Sequence, residues 1–136
     1  MNAQSIPQLS LGEAWDVMST DPRAVLIDVR TAAEWSFVGV PDLRPLGKEL
    51  RTVEWTSYPT GAANPEFLAQ ATDGLERDQN ILLLCRSGAR SQAAAQMLLV
   101  NGFPNVHNIA AGFEGPLDDQ GHRRGGWKDE LPWVQG

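Results

Sequence analysis

The sequence predicts an α/β fold, a three-layer sandwich in which a mostly parallel central sheet carries helices on both faces. Three observations carry this expectation. Residues 81–84 are an uninterrupted aliphatic run, Ile81-Leu82-Leu83-Leu84. A run without polar alternation reads as a strand buried on both faces, the parallel-sheet type. Residues 24–29 are a second apolar run, and residues 106–109 read as a third strand of the same set. Helix-start signals lie between the runs, and alternating strands and helices build a parallel sheet with helices packed against it.

Taken in order, residues 6–9 form a short first strand. Ser10-Leu11-Gly12-Glu13 is a capping box, in which the serine and the glutamate each satisfy a backbone N–H at the helix start. The helix it opens carries Leu11, Ala14, Trp15 and Met18 at helical spacing, read as core. Asp21-Pro22 ends it, because proline disfavours helical geometry in the residue before it. Residues 24–29 are the second strand, interrupted by Asp28. A carboxylate there needs a partner, since buried charge is costly unless paired. Arg30, Arg86 and Arg90 are the candidates. Thr31-Ala32-Ala33-Glu34 is another capping box, opening a short helix through Phe37, and capping is a complete local account of Glu34.

Residues 38–47, with Pro41, Pro45 and Gly47, read as loop. Residues 50–55 alternate enough for a strand. Asn64-Pro65-Glu66 supplies an N-cap, a first-turn proline and an acidic first turn, and starts a helix with Phe67, Leu68 and Ala71 on its apolar face. A helix from Ser91 carries Ala94, Met97 and Leu98 on one face and ends at Asn101-Gly102, glycine being favoured at a helix C-terminus. Residues 106–109 are the next strand of the parallel set, with His107 toward the more exposed face. Gly112-Phe113 starts another short helix. The Gly-rich, charged tail contains Trp127 and Trp133, both expected to pack on the domain.

The chain's single cysteine sits where the strand of residues 81–84 ends. Arg86, Ser87, Gly88, Ala89 and Arg90 follow, and then the helix-forming run from Ser91. Open α/β sheets bind ligands at the carboxyl ends of their strands. Helix N-termini there present outward N–H groups that favour anions. A thiolate is stabilised by such a terminus and by nearby arginines. Cys85 is therefore the expected nucleophile, with the two arginines as expected anion ligands.

Cys85-Arg86-Ser87-Gly88-Ala89-Arg90-Ser91 resembles the active-site loop of the rhodanese family of sulfurtransferases. Leu26-Ile27-Asp28-Val29-Arg30 with Glu34-Trp35, and Val106-His107-Asn108-Ile109-Ala110-Ala111-Gly112-Phe113, are similar to two further blocks of that family. The resemblance covers roughly residues 5–115. It implies a single rhodanese-like domain over residues 1–136, with 116–136 as a C-terminal extension packed on it. It also implies sulfur transfer through a Cys85 persulfide, from a small anionic donor such as thiosulfate to a thiol, cyanide or protein acceptor. Arg86 to Ser91 would bind donor and persulfide, Asp28 and Arg30 would support the loop, and no cofactor is implied. The alternative is a sulfur-relay or regulatory module without turnover on small acceptors. The sequence departs from the family at Val38-Gly39-Val40-Pro41-Asp42-Leu43, which lacks the usual Gly-His-Ile-x-Gly-Ala pattern. Trp55 and Tyr58 follow the place where the family lines its pocket, so acceptor specificity does not carry over. Cysteine phosphatases have a related loop that is one residue longer between Cys and Arg.

Composition narrows the partners. A net charge of −6 argues against nucleic acid, which needs a basic footprint. One cysteine allows no intrachain disulfide and fits a reducing compartment. The two histidines, His107 and His122, lack the spacing of a metal pair, so no metal is expected. Residues 1–10 carry no signal-peptide pattern, and no stretch approaches the roughly 18 apolar residues of a membrane span. The expected location is cytoplasmic.

Overall fold

The computed structural model describes residues 5–135. In chain order its elements are β1 (Gln8–Leu9), α1 (Leu11–Thr20), β2 (Val25–Asp28), α2 (Ala32–Phe37), β3 (Val40–Pro41), a 3-10 turn (Arg44–Leu46), β4 (Arg51–Thr52), α3 (Phe67–Thr72), β5 (Ile81–Leu84), α4 (Ala89–Val100), β6 (Val106–Ile109), α5 (Trp127–Glu130) and β7 (Trp133–Val134). The main sheet runs β1-β6-β5-β2-β4 with every pairing parallel. β5 is its central strand, and all four of its residues are buried.

Successive side chains of a strand point to opposite faces, and the core divides accordingly. Ile27, Ile81, Leu83 and Cys85 face α3 and α4 through Phe67, Ala71, Ala94, Ala95 and Leu98. Leu26, Leu82 and Leu84 face α1 and the chain end through Leu11, Ala14, Met18, Phe113 and Trp127. Helices thus cover both faces of a parallel sheet, as the apolar runs imply. Both capping boxes form as their sequences dictate, at Ser10–Glu13 and Thr31–Glu34.

Several local expectations are corrected, among them the helix start expected at Ser91, which moves to Ala89. The strand of residues 50–55 contracts to Arg51–Thr52. The edge continues irregularly, with the N–H groups of Val53 and Trp55 donating to Asp28 O and Val29 O at 3.0 and 3.1 Å. The third helix begins at Phe67 because Asn64 Oδ1 accepts the Glu66 N–H at 3.0 Å. That side-chain turn holds residues 65–66 outside the helix. In α4 the buried stripe is Ser91, Ala94, Ala95 and Leu98, so Met97 lies off its axis and is 37% exposed. Gly112-Phe113 forms a turn and no helix. Its backbone is engaged across the structure: Phe113 N–H donates to Cys85 O at 2.8 Å and Gly112 O accepts from Trp127 N–H at 2.9 Å.

The chain end folds back over this turn. Trp127 is fully buried, its Nε1–H donates to Pro132 O at 2.7 Å, and its ring meets Trp15 edge-on at 6.0 Å. A ring burying roughly 200 Å² at about 25 cal/mol/Å² contributes about 5 kcal/mol as an upper figure. β7 pairs antiparallel with β3, the segment read as loop, and Trp133 meets Phe113 edge-on at 6.1 Å.

Candidate active site

The carboxyl ends of the parallel strands converge on one cleft of about 560 Å³. Four connections line it. Thr31, Glu34, Phe37 and Val38 follow β2, Thr56 to Pro59 follow β4, Arg86 and Arg90 follow β5, and Glu114 follows β6. This is the position expected for a ligand site on an open α/β sheet.

Cys85 continues the buried β5 run and is 1% exposed. Its Sγ receives the Gly88 N–H at 3.1 Å and lies 3.2 Å from the Ser91 hydroxyl. Gly88 has φ +103°, and a Cβ there would stand 2.5 Å from Ala110 O. Only glycine adopts this backbone and fits this gap, so Gly88 aims its own N–H at the sulfur. Ala89 and Arg90 open α4, whose first-turn N–H groups have no partner within the helix. Ser87 lies between the exposed Arg86 and Gly88.

Behind the sulfur is a polar brace that the sequence reading did not pick out. Asn108 is buried on β6, and its Nδ2 donates to Gly88 O at 3.1 Å and to Gln8 Oε1 at 2.9 Å. That orientation turns Oδ1 toward Ser91, whose hydroxyl lies 2.5 Å away. The single serine proton is held by Asn108 at the shorter contact, which fixes the hydroxyl oxygen 3.2 Å from the sulfur. Asn108 sits in a matched sequence block, yet a polar side chain in a strand of the parallel sheet was the only available signal.

Asp28 and Arg30 are both 0% exposed and pair with each other. The Asp28 carboxylate accepts from Arg30 Nε at 2.9 Å and Nη2 at 2.6 Å, and Nη2 also donates to Gly39 O at 2.7 Å. They reach the cysteine loop indirectly. The Arg30 guanidinium lies 4.2 Å over the Phe113 ring, and Phe113 N–H holds the Cys85 carbonyl.

The loop arginines are not free cations. Arg90 makes a two-pronged pair with Glu34, Nη1–Oε1 2.7 Å and Nη2–Oε2 2.9 Å. Arg86 Nε lies 3.2 Å from Glu114 Oε2. Glu34 thus does more than cap its helix, a second role its capping box concealed. Burial pushes the Glu34 carboxyl up, but hydrogen bonds from Arg90 and Thr31, with the Arg90 charge, outweigh this and hold it at about 2. His107 is half-buried, with Nε2 3.1 Å from Asn80 Oδ1, and burial pushes its imidazole down from the ordinary value. His122 is exposed. Among the described residues no cluster of His, Cys, Asp and Glu could hold a metal ion, and no helix is long and apolar enough to cross a membrane.

Comparison with known proteins agrees with this architecture. The profile of the family described as the STR4 middle domain matches residues 8–136. An uncharacterized protein of Rickettsia rickettsii is 36% identical over 130 residues, covering 95% of this chain and 98% of its own. Rhodanese-like domain-containing protein 4, chloroplastic, of Arabidopsis thaliana is 28% identical over 93% of this chain, which spans 25% of that protein. The crystal structure of Rv0390 from M. tuberculosis superposes with a TM-score of 0.89 at 45% identity, covering 98% of this chain and 100% of that one. The polysulfide-sulfur transferase of Wolinella succinogenes shares the fold, with a TM-score of 0.64 at 22% identity over 96% of this chain and 80% of that one. The fold is that of rhodanese-like domains, and the chain belongs to the STR4 middle-domain family.

Proposed function

We propose that this protein is a sulfurtransferase that carries a sulfane sulfur as a persulfide on Cys85. The observation that supports this most directly is the geometry around Sγ: a sulfur at the end of the central strand, met by the Gly88 N–H and the Ser91 hydroxyl. An oriented donor such as the Gly88 N–H stabilises negative charge on sulfur without reorganising during the reaction. The Cys85 thiolate attacks the outer sulfur of a donor such as thiosulfate. The donor S–S bond breaks, its electron pair leaves with sulfite, and Cys85 keeps the outer sulfur. An acceptor thiolate or cyanide then takes that sulfur and restores the Cys85 thiolate, a two-step cycle through a covalent intermediate. Asp28 and Arg30 support the loop through Phe113.

The partners are a small sulfur donor and a thiol or protein acceptor, with no nucleic acid and no membrane. The location we propose is cytoplasmic, in keeping with a single free cysteine in a reducing compartment. The unit that acts is the single domain of residues 1–136, its C-terminal extension packed on the core.

Intact-mass measurement after exposure to thiosulfate tests the proposal. The expected result is one added sulfur on the parent, absent from Cys85→Ser, with turnover when cyanide or a thiol is supplied. Undiminished sulfur transfer by Cys85→Ser refutes it. A persulfide that forms but passes to neither small acceptor supports the relay reading instead.

A further inference from the structure

The cleft beside the Cys85 loop is lined by two guanidiniums, Arg86 and Arg90, and two carboxylates, Glu34 and Glu114. Each cation is already paired with one of the anions. The lining is therefore neutral, and the chain as a whole carries −6. Side chains so paired offer no net attraction to a dianion. Arg90 is also the less free of the two arginines. A two-pronged guanidinium–carboxylate pair is the strong form of the interaction, and the Glu34 and Arg90 side chains are only 20% and 28% exposed. Turning Arg90 toward a donor oxyanion would leave Glu34 uncompensated in a half-buried site, which is costly.

Size points the same way. A cleft of about 560 Å³ lies within the range of sites for whole organic ligands and far exceeds a donor of a handful of atoms. Its rim is apolar as well as charged, with Phe37 80% exposed and Tyr58 69% exposed, next to Val38 and Pro59. Separated cation and carboxylate groups beside an apolar rim complement a ligand with its own ammonium, carboxylate and short carbon skeleton.

Resting on the sulfurtransferase reading, we infer that the sulfur donor is a small organic persulfide with a zwitterionic, amino-acid-like head. Glu34 and Glu114 are then the residues that select it over thiosulfate. The donor carboxylate meets Arg86, the looser of the two arginines at 49% exposed, and its ammonium meets the carboxylate that Arg86 releases, Glu114. The chemistry balances without a further reagent. The Cys85 thiolate attacks the outer sulfur of R–S–SH, the S–S bond breaks, and the electron pair leaves on R–S⁻. Cys85 becomes Cys85–S–SH, its outer sulfur keeping the proton.

The test follows Cys85 loading by intact mass with three donors: cysteine persulfide, its N-acetylated counterpart and thiosulfate. The two organic donors share the same reacting sulfurs and differ in the ammonium. A charge-assisted hydrogen bond corresponds to roughly one to two decades, so N-acetylation should slow loading of the parent about tenfold or more. Glu114→Gln should erase that difference and raise the loading rate with thiosulfate about tenfold. Glu34→Gln, which can still cap α2, should raise the thiosulfate rate in the same direction. If N-acetylation leaves the parent unchanged, or thiosulfate loading is unaltered in both variants while Cys85 still loads, the inference fails and the sulfurtransferase reading stands. If no donor loads Cys85, the sulfurtransferase reading falls and takes the inference with it.

Discussion

Replacing Arg30 by alanine tests whether the buried Asp28–Arg30 pair holds up the cysteine loop. Both side chains are 0% exposed. The Asp28 carboxylate accepts from the Arg30 backbone N–H at 3.1 Å and from the guanidinium through Nε and Nη2. Arg30→Ala leaves that carboxylate with the backbone donor alone, an uncompensated charge in the interior. Breaking a buried pair in this way costs about 3–5 kcal/mol. Unfolding entropy is about 2.1 cal/mol/K per residue. For 136 residues this makes about 0.29 kcal/mol/K, so the expected fall in Tm is about 10–18 °C. Circular dichroism melts at neutral pH measure it, with urea midpoints as a check. Asp28→Leu combined with Arg30→Met, which removes both charges and keeps the volume filled, should recover most of the loss. A fall of less than about 4 °C for Arg30→Ala, or a double variant as unstable as the single one, would refute the argument that buried charge is the cause.

Two further outcomes are expected. Glu34 has its carboxyl depressed from 4.5 to about 2 in the folded state. The stability this brings is fully present above the unfolded value and drains away as pH falls from about 4.5 toward about 2. Glu34→Gln should therefore flatten the acid limb of Tm against pH over that window, and an unchanged limb would contradict the pairing. Gly88→Ala places a Cβ 2.5 Å from Ala110 O at φ +103°. It should lower Cys85 loading by at least tenfold with the helices retained by circular dichroism, whereas parent-like loading would mean that the Gly88 N–H does not hold the sulfur.

The parallel sheet was legible because its signals are local and redundant. The aliphatic run before Cys85 has no amphipathic reading, and both capping boxes form from the residues that spell them. What was not legible depends on contacts between distant segments. The strand of residues 50–55 shortens because β4 is the sheet's edge, with β2 its only neighbour in the main sheet. Residues 40–41 become a strand only because β7 arrives from more than ninety positions away. Gly112 and Phe113 stay out of a helix because their carbonyls accept from the N–H groups of Trp127 and Lys128. In the site the same rule holds. Cys85 and Gly88 announce themselves in the loop. The partners of Arg86 and Arg90 lie on other connections, and nothing in the spacing of Glu34 or Glu114 marks them as counter-charges. Glu34 shows why a sufficient local explanation can mislead: its two carboxylate oxygens allow it to cap α2 and pair Arg90 together.

That pairing bears on the distinction between sulfur and phosphate chemistry. A cysteine loop closed by an arginine binds a tetrahedral oxyanion only if the guanidinium can turn inward and the backbone N–H groups stand far enough apart. Here four residues separate Cys85 from Arg90, and the Gly88 N–H already reaches Sγ at 3.1 Å. Hydrogen bonds tolerate little slack beyond about 2.7–3.2 Å, so a donor that serves the sulfur itself leaves no room for a phosphate between them. Arg90 meanwhile faces Glu34, and freeing it would strand a half-buried carboxylate. Glu34, the carboxylate beside Arg90, is a poor proton donor for a leaving alkoxide, since it is held ionised down to about pH 2. The expected outcome is no hydrolysis of an aryl phosphate under conditions in which Cys85 accepts sulfur readily. Glu34→Gln sharpens the test. It frees Arg90 without lengthening the loop, so it should gain thiosulfate reactivity and still lack phosphatase activity. Cys85-dependent phosphate release by the parent would overturn the sulfur assignment, and release by Glu34→Gln alone would show that charge pairing, more than loop length, keeps phosphate out.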